Sequence, residues 1–196
     1  MSPTVRGCLL LLAGALAGCT PMASLRTVDS RAALHAAQPD MQFKLDGRMS
    51  VRTPDQSFSG TVSWTRRTGE ETLLLSGPLG QGAAEIRRQD GRVTLKTAEG
   101  GEVVEDSDER LMERVLGLRL PLVGLVYWLS GVPRPGMAFS AGTDPEGRVE
   151  RLDQDGWHIE YSQFRRYDAH WRPGRIFAKR GDSLEFRFVV DSWVPL

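Results

Sequence analysis

The chain has 196 residues and a mass of 21.7 kDa, with 25 basic and 25 acidic side chains and a formal net charge of zero. A neutral chain has no global field to attract nucleic acid, so a nucleic-acid partner is not expected. Hydrophobic residues make up 40% and charged residues 26% of the chain, which is typical of a globular domain and not of a disordered one. The length suits one domain with a substantial core.

Both cysteines, Cys8 and Cys19, lie close to the N-terminus, and the remaining sequence contains none. This placement excludes a disulfide framework from the body of the protein. It also excludes a thiolate metal site and a cysteine nucleophile there.

Residues 1–18 are predicted to be a signal peptide. Arg6 supplies the positive charge that precedes such signals, and an apolar run follows at residues 9–16. The run is too short to cross a bilayer, which takes roughly 20 apolar residues. We therefore interpret this segment as an export signal and not as a membrane span.

The apolar run ends in Leu-Ala-Gly-Cys at residues 16–19, which resembles the lipobox of bacterial lipoproteins. That resemblance implies cleavage before Cys19 and acylation of its thiol. Thr20 follows, and not the aspartate that commonly retains lipoproteins in the inner membrane. The implied location is the outer membrane, with the protein lipid-anchored through Cys19 and facing the periplasm. The alternative is an ordinary secretory cleavage that leaves Cys19 as a free thiol.

The hydrophobic period changes at about residue 41. Residues 22–37 have a weak apolar stripe at helical spacing, so residues 19–40 are interpreted as the lipidated N-terminus and a first helix. From Phe43 onward, apolar and polar residues alternate, as half-buried strands require. Turn signals such as Asp90-Gly91 and Asp155-Gly156 separate these strands, which predicts a meander of antiparallel strands.

Two helices are predicted to interrupt the strands. The first begins at a cap formed by Asp106 or Ser107, and the second begins after Pro121 and stops before Gly131. The second helix is apolar over more than a narrow stripe, so it either packs on both sides or covers something. The predicted fold is mainly β (α+β), with an antiparallel sheet and helices on one face.

No residues form a recognisable catalytic or metal-binding constellation. The three histidines, His35, His158 and His170, have no partners at metal-ligand or triad spacing. The acidic cluster at residues 105–109 begins a helix, where it complements the helix dipole. Nucleophile-elbow and phosphate-loop patterns are missing around residues 76–82. We therefore expect no enzyme activity, no metal and no cofactor.

Aromatic residues on the apolar phase of the strands are the positive signal. A curved sheet lined in this way, with helices against it, either packs solid or encloses an apolar cavity. The residues alone leave both alternatives open, and a solid core is the commoner outcome. The candidate lining of such a cavity, including three residues of the second helix, is Phe43, Phe58, Trp64, Leu122, Leu125, Trp128, Trp157, Tyr161, Phe186 and Phe188.

Leu79 is an unusual residue for the tip of a loop. It stands between Pro78 and Gly80, in a predicted connection between two strands, where polar residues are the rule. Such a leucine is either tucked under the protein or directed outward at an apolar partner. Its own chemistry favours the tucked position, because apolar surface tends to be buried.

Six short motifs follow one another along the mature chain: SW at 63–64, LLLSGPLG at 73–80, LPL at 120–122, WLSGVP at 128–133, QDGWHIEY at 154–161 and DSW at 191–193. In this order and spacing they resemble the LolB family of bacterial outer-membrane lipoprotein receptors. The resemblance implies that residues 41–196 form a single lipoprotein-binding domain. Its fold would be an incomplete antiparallel β-barrel with a helical lid over an apolar cavity.

The same resemblance implies a function. Members of this family accept acylated lipoproteins from the periplasmic carrier LolA, hold their acyl chains in the cavity and insert them into the outer membrane without a cofactor. The exposed leucine of the family's Pro-Leu-Gly loop acts in membrane insertion, and it corresponds to Leu79, which favours the outward alternative. A monomer is expected. The alternative function is a passive lipid-binding or structural envelope lipoprotein without transfer activity.

Overall fold

A long antiparallel sheet, described in a computed structural model, dominates the molecule. The structure describes residue 39 and residues 41–55, 57–78, 84–116 and 122–196. The predicted signal peptide, Cys19, the predicted helix at 22–37 and Leu79 lie outside these residues.

The first half of the chain is a meander that ends in two helices. Its strands alternate between buried and exposed residues, as the sequence predicted. The elements are β1 (Phe43–Arg52), β2 (Ser57–Arg67), β3 (Glu70–Ser76), β4 (Ala84–Gln89), β5 (Arg92–Thr97), β6 (Glu102–Glu105), α1 (Asp108–Leu116) and α2 (Leu122–Leu129).

The second half returns to strands, and its last strand pairs with the first strand of the chain. The remaining strands are β7 (Phe139–Thr143), β8 (Val149–Gln154), β9 (Trp157–Ser162), β10 (Arg165–Tyr167), β11 (His170–Arg172), β12 (Arg175–Arg180) and β13 (Leu184–Pro195). Strands β10 and β11 form a separate hairpin. The other strands form one sheet in the order β6-β5-β4-β3-β2-β1-β13-β12-β9-β8-β7.

The sheet is not closed, because its edge strands β6 and β7 are not paired with each other in the described part of the chain. The first and last strands of the sheet in sequence, β1 and β13, pair near its centre. The two helices interrupt the chain between the two edge strands. The predicted incomplete antiparallel barrel with a helical lid is confirmed.

The tight turns have the backbone geometry that their sequences predicted. Asp90 and Gly91 have φ angles of 52° and 77°, and Asp155 and Gly156 have φ angles of 53° and 74°. Two consecutive left-handed residues are characteristic of the type I′ turn, whose twist matches that of the flanking strands. These turns fix the register of β4 with β5 and of β8 with β9.

The helices begin where the capping signals placed them. The hydroxyl of Ser107 accepts a hydrogen bond from the backbone N–H of Arg110 at 3.2 Å, so Ser107 caps α1. Helix α2 has six buried residues out of eight, and its Trp128 ring lies 5.6 Å from that of Trp157 in β9. None of the described helices is long and apolar enough to span a membrane.

Candidate functional site

The inward-facing residues of β1–β5 and β13 form rows that run across the strands. One row contains Trp193, Leu45, Trp64, Leu73, Ile86 and Leu95, each of which is the cross-strand partner of the next. A second row, toward the other end of the strands, contains Phe186, Val51 and Phe58. Leu45 and Val51 on β1, like Trp64 and Phe58 on β2, are an even number of residues apart, so both rows point to the face that the helices cover.

Between these rows and the helices lies a cavity of about 200 Å³. Six strands and both helices contribute to its wall, and every described residue that lines it is apolar. Side chains therefore do not fill the core at this position. The described lining residues offer no polar groups that could hold an ordered water molecule. Its lining consists of Met49, Val51, Phe58, Val62, Trp64, Leu73, Leu75, Ala84, Ile86, Leu95, Met112, Leu122, Leu125, Leu129, Phe186 and Phe188.

The cavity has a closed end and a mouth. The closed end is the row of Trp64, Leu73, Ile86 and Leu95, whose exposed fractions lie between 1% and 6%. The mouth is formed by Met49, Phe58, Leu75 and Ala84, which are only partly buried. Since Leu75 and Ala84 pair across β3 and β4, the connection between these two strands leaves the sheet at the mouth.

A buried polar cluster lies behind the closed end. The indole N–H of Trp64 donates a hydrogen bond to the carboxylate of Glu71 at 2.8 Å, and that carboxylate also pairs with Arg88 and with Arg66. On another side of the same indole, the ring of Phe43 makes an edge contact with its centroid 5.5 Å away. The Trp64 ring is therefore held from two directions.

Six of the ten residues predicted to line a cavity are brought together there, and four are not. The six are Phe58, Trp64, Leu122, Leu125, Phe186 and Phe188. The other four are buried elsewhere in the core, and they are Phe43, Trp128, Trp157 and Tyr161.

The four residues outside the cavity have specific neighbours. Phe43 fills the space behind Trp64 and stacks on Trp193 with ring centroids 4.7 Å apart. The indole N–H of Trp128 donates to the Gln154 side chain at 3.0 Å, and its ring packs against Trp157. The strand phase placed Phe43, Trp157 and Tyr161 on the buried face of the sheet. It did not show which part of that face α2 would fill.

Tyr161 is buried without a visible partner for its hydroxyl. No hydrogen-bond acceptor or donor among the described residues reaches it, and burial raises the pKa of the phenol above its ordinary value. The hydroxyl is therefore held in its neutral form within the core, away from the cavity.

Ten lining residues were missed by the sequence reasoning, which considered mainly aromatic side chains. The period-2 alternation that placed Trp64 also places its aliphatic neighbours inward, so the signal for the strand residues was present. These ten residues are Met49, Val51, Val62, Leu73, Leu75, Ala84, Ile86, Leu95, Met112 and Leu129.

The polar side chains of the described residues form no metal-binding cluster. No group of three or more His, Cys, Asp or Glu residues in this part of the chain could hold a metal ion. The ring nitrogens of His158 lie 2.6 Å from a carboxylate oxygen of Asp153 and 3.3 Å from one of Glu160, in a partly exposed cluster outside the cavity lining. The apolar cavity is the strongest candidate for a functional site.

Comparison with known proteins agrees with this architecture. Residues 41–193 match the family model described as outer membrane lipoprotein LolB. An outer-membrane lipoprotein LolB from Pseudomonas paraeruginosa is 34% identical over 197 residues, covering 95% of this chain and 96% of the relative. Another, from Pseudomonas fluorescens, is 36% identical over 153 residues, covering 78% of this chain and 74% of the relative.

A solved structure shows the same fold at low sequence identity. The LolA superfamily protein from Nitrosomonas europaea superposes with a TM-score of 0.52 at 10% identity, covering 85% of this chain and 93% of that one. At this identity the likeness concerns the fold alone. Together with the family match and the curated relatives, it confirms the resemblance inferred from the sequence: this chain belongs to the outer-membrane lipoprotein LolB family.

Proposed function

We propose that this protein is an outer-membrane receptor that accepts lipoproteins from the periplasmic carrier LolA and inserts them into the outer membrane. The observation that carries the proposal is the cavity whose described lining residues are all apolar, in a chain of the LolB family. In this proposal the acyl chains of the lipoprotein enter at the mouth and lie against the lining residues. The protein acts as a monomer and catalyses no covalent chemistry.

The cavity provides a physical basis for both binding and transfer. Burial of a methylene group in an apolar environment contributes about 0.8 kcal/mol, so affinity depends on how much of the chain is buried. A receptor whose cavity binds the chains about 1.4 kcal/mol better than the carrier's cavity biases the transfer about tenfold. No nucleotide or cofactor is needed, because the gradient of affinity supplies the direction.

The anchor proposed at Cys19 keeps the receptor at its target membrane. A single acyl chain binds a bilayer only marginally, whereas two or more chains anchor a protein firmly. Residues 20–40 would connect this anchor to β1, which begins at Phe43. The domain would then reach both an arriving carrier and the inner surface of the outer membrane.

Leu79 is proposed as the residue that contacts the membrane during insertion. It belongs to the connection between β3, which ends at Ser76, and β4, which begins at Ala84. Ala84 and Leu75 both line the mouth of the cavity. An apolar side chain in this connection would meet lipid close to where the acyl chains leave.

Transfer in vitro tests the proposal. Purified carrier loaded with a lipoprotein is mixed with the Cys19→Ala form and then with phospholipid vesicles. We expect the lipoprotein to move first to the receptor and then to the vesicles. Leu79→Glu should still accept the lipoprotein and should fail to deliver it.

Leu74→Glu is the matched control for Leu79→Glu. Leu74 lies on β3 and is 44% exposed on the face opposite to the cavity, so this variant should accept and deliver normally. If Leu79→Glu unfolds the domain, the outward position of Leu79 is wrong. If no lipoprotein leaves the carrier for the unmodified domain, the passive lipid-binding or structural alternative is correct.

A further inference from the structure

Glu71 is a carboxylate on the inner face of an otherwise apolar strand. It shares that face of β3 with Leu73 and Leu75, which line the cavity, and its side chain is only 6% exposed. A buried carboxylate is costly unless it is paired and hydrogen-bonded. Glu71 therefore needs charged or hydrogen-bonding partners at its position directly behind the closed end of the cavity.

The register of the sheet brings the partners of Glu71 to it. Arg66 on β2 and Arg88 on β4 are its cross-strand partners on the two sides, and both guanidinium groups pair with the carboxylate. The remaining interaction is the hydrogen bond from the Trp64 indole N–H at 2.8 Å. One row of the sheet thus carries three adjacent charged residues, and the next row toward the mouth is apolar.

Trp64 forms the boundary between these two rows. It is 1% exposed, lines the cavity and is the largest residue of the closed-end row. Phe43 contacts the indole with ring centroids 5.5 Å apart, and Phe43 in turn stacks on Trp193. An apolar chain that extended past Trp64 would have to displace this aromatic group and approach an ion pair.

We propose that Trp64, positioned by Glu71, terminates the cavity and sets the length of acyl chain that the cavity buries. Trp64 contacts the end of the chain, and Glu71 is a positioning residue that acts through it. The inference rests on the proposed function, since it assumes that acyl chains occupy the cavity.

The proposal predicts a characteristic dependence of affinity on chain length. While each added methylene is buried, affinity rises roughly fourfold per methylene. Once the chain reaches Trp64, further methylenes remain at the mouth in contact with water, and affinity reaches a plateau. The plateau should be reached at a short chain length, because the cavity is small. Its volume is about 200 Å³, and a cavity of about 150 Å³ has room for one benzene molecule.

The test measures the affinity of the Cys19→Ala form for saturated fatty acids of roughly 8 to 18 carbons by displacement of a fluorescent fatty acid. In Trp64→Leu the shorter side chain should move the plateau to longer chains by about two methylenes, which raises the affinity for the longest acids roughly tenfold or more. Trp64→Phe removes less volume, keeps an aromatic ring and should move the plateau by about one methylene, so it serves if Trp64→Leu folds poorly.

Trp128 provides a matched control. It is also a buried tryptophan, and its indole N–H donates a hydrogen bond to Gln154, but it lies outside the cavity lining. Trp128→Leu and Trp128→Phe should leave the plateau at the wild-type length.

Glu71 is tested by two substitutions of similar size. Glu71→Gln retains an acceptor for the indole N–H and should keep the plateau, whereas Glu71→Met removes the acceptor and should shift it as Trp64→Phe does.

Two results would overturn the inference, and they are distinguishable. In the first, the wild-type domain binds fatty acids, and affinity reaches its plateau at the same chain length in the wild type and in both Trp64 variants. The chain-length role of Trp64 is then wrong, and the proposed function stands. If the wild-type domain binds no fatty acid of any length, the proposed function fails and the inference fails with it.

Discussion

A Cβ atom on Gly60 would lie 2.1 Å from the backbone carbonyl oxygen of Ser76. The end of β3 therefore crosses the inner face of β2 too closely for any side chain at position 60. On the same face of β2, Gly60 lies between Phe58 and Val62, which line the cavity. Ser76 is the last residue of β3.

Gly60→Ala should destabilise the domain by about 1–3 kcal/mol, because the new methyl group must displace backbone and not a flexible side chain. Equilibrium unfolding in urea measures this difference. Gly142→Ala is the control, since a Cβ at that strand position would make only an ordinary contact of 3.8 Å with Arg151. It should be neutral or stabilising by up to about 1 kcal/mol. Equal stabilities of the two variants would contradict the close approach at Ser76.

Ala84→Phe should narrow the mouth of the cavity. Ala84 lies at the start of β4, is partly buried and lines the cavity beside Leu75. A phenyl group there would occupy space that an acyl chain needs, and the loss of about two buried methylenes lowers fatty-acid affinity roughly tenfold. Fluorescent fatty-acid binding to the Cys19→Ala form provides the measurement. Ala169→Phe, at an exposed turn between β10 and β11, should bind as the wild type does. Wild-type affinity in Ala84→Phe would argue against this mouth as the entrance.

Ser107→Ala should weaken the start of α1. The Ser107 hydroxyl accepts the backbone N–H of Arg110, and its loss typically costs about 1 kcal/mol. Because Met112 of α1 lines the cavity, the effect falls on the lid itself. Thermal unfolding should show a lower midpoint, and Ser107→Asp, which can also cap a helix, should restore it. A deficit in Ser107→Asp as large as in Ser107→Ala would show that capping is not the cause.

Tyr161→Phe should stabilise the domain by about 1 kcal/mol or more at neutral pH, because it removes a buried hydroxyl that has no partner among the described residues. The pH dependence follows from the raised pKa of this phenol. The unfolded chain ionises above pH about 10 while the folded protein does not, so this hydroxyl favours unfolding increasingly as the pH rises. The stability difference between variant and wild type should therefore widen above pH about 10. Urea titrations at several pH values measure it, and a constant difference would contradict the burial of the hydroxyl.

The local features of the fold could be predicted from the sequence. Asp90-Gly91 and Asp155-Gly156 predicted tight turns because these residue types tolerate left-handed backbone angles, which the structure shows. The alternation at Phe43, Trp64 and Phe186 predicted inward-facing residues, and all three are buried. These signals depend only on neighbouring residues and on the period of the strand.

Phe58 and Trp157 show that the local sequence pattern was not sufficient to predict which inward-facing residues line the cavity. Both were predicted to line a cavity, yet Phe58 lies at the mouth whereas Trp157 packs against Trp128 of α2. Alternation determines which face of the sheet a side chain occupies, but not what lies over it. That depends on where α2 rests on the curved sheet, which contacts distant in sequence determine.

The family, the mainly β architecture, the capped helices and most of the buried aromatic residues could be inferred without a structure, because each follows from a local pattern or from an ordered series of motifs. The choice between a solid core and a cavity, and the position of Glu71 between Arg66 and Arg88, became visible in the three-dimensional fold. The physical reason is the same in both cases. Packing volume and ion pairing depend on register between strands and on helix position, and neither can be seen within a single segment of the chain.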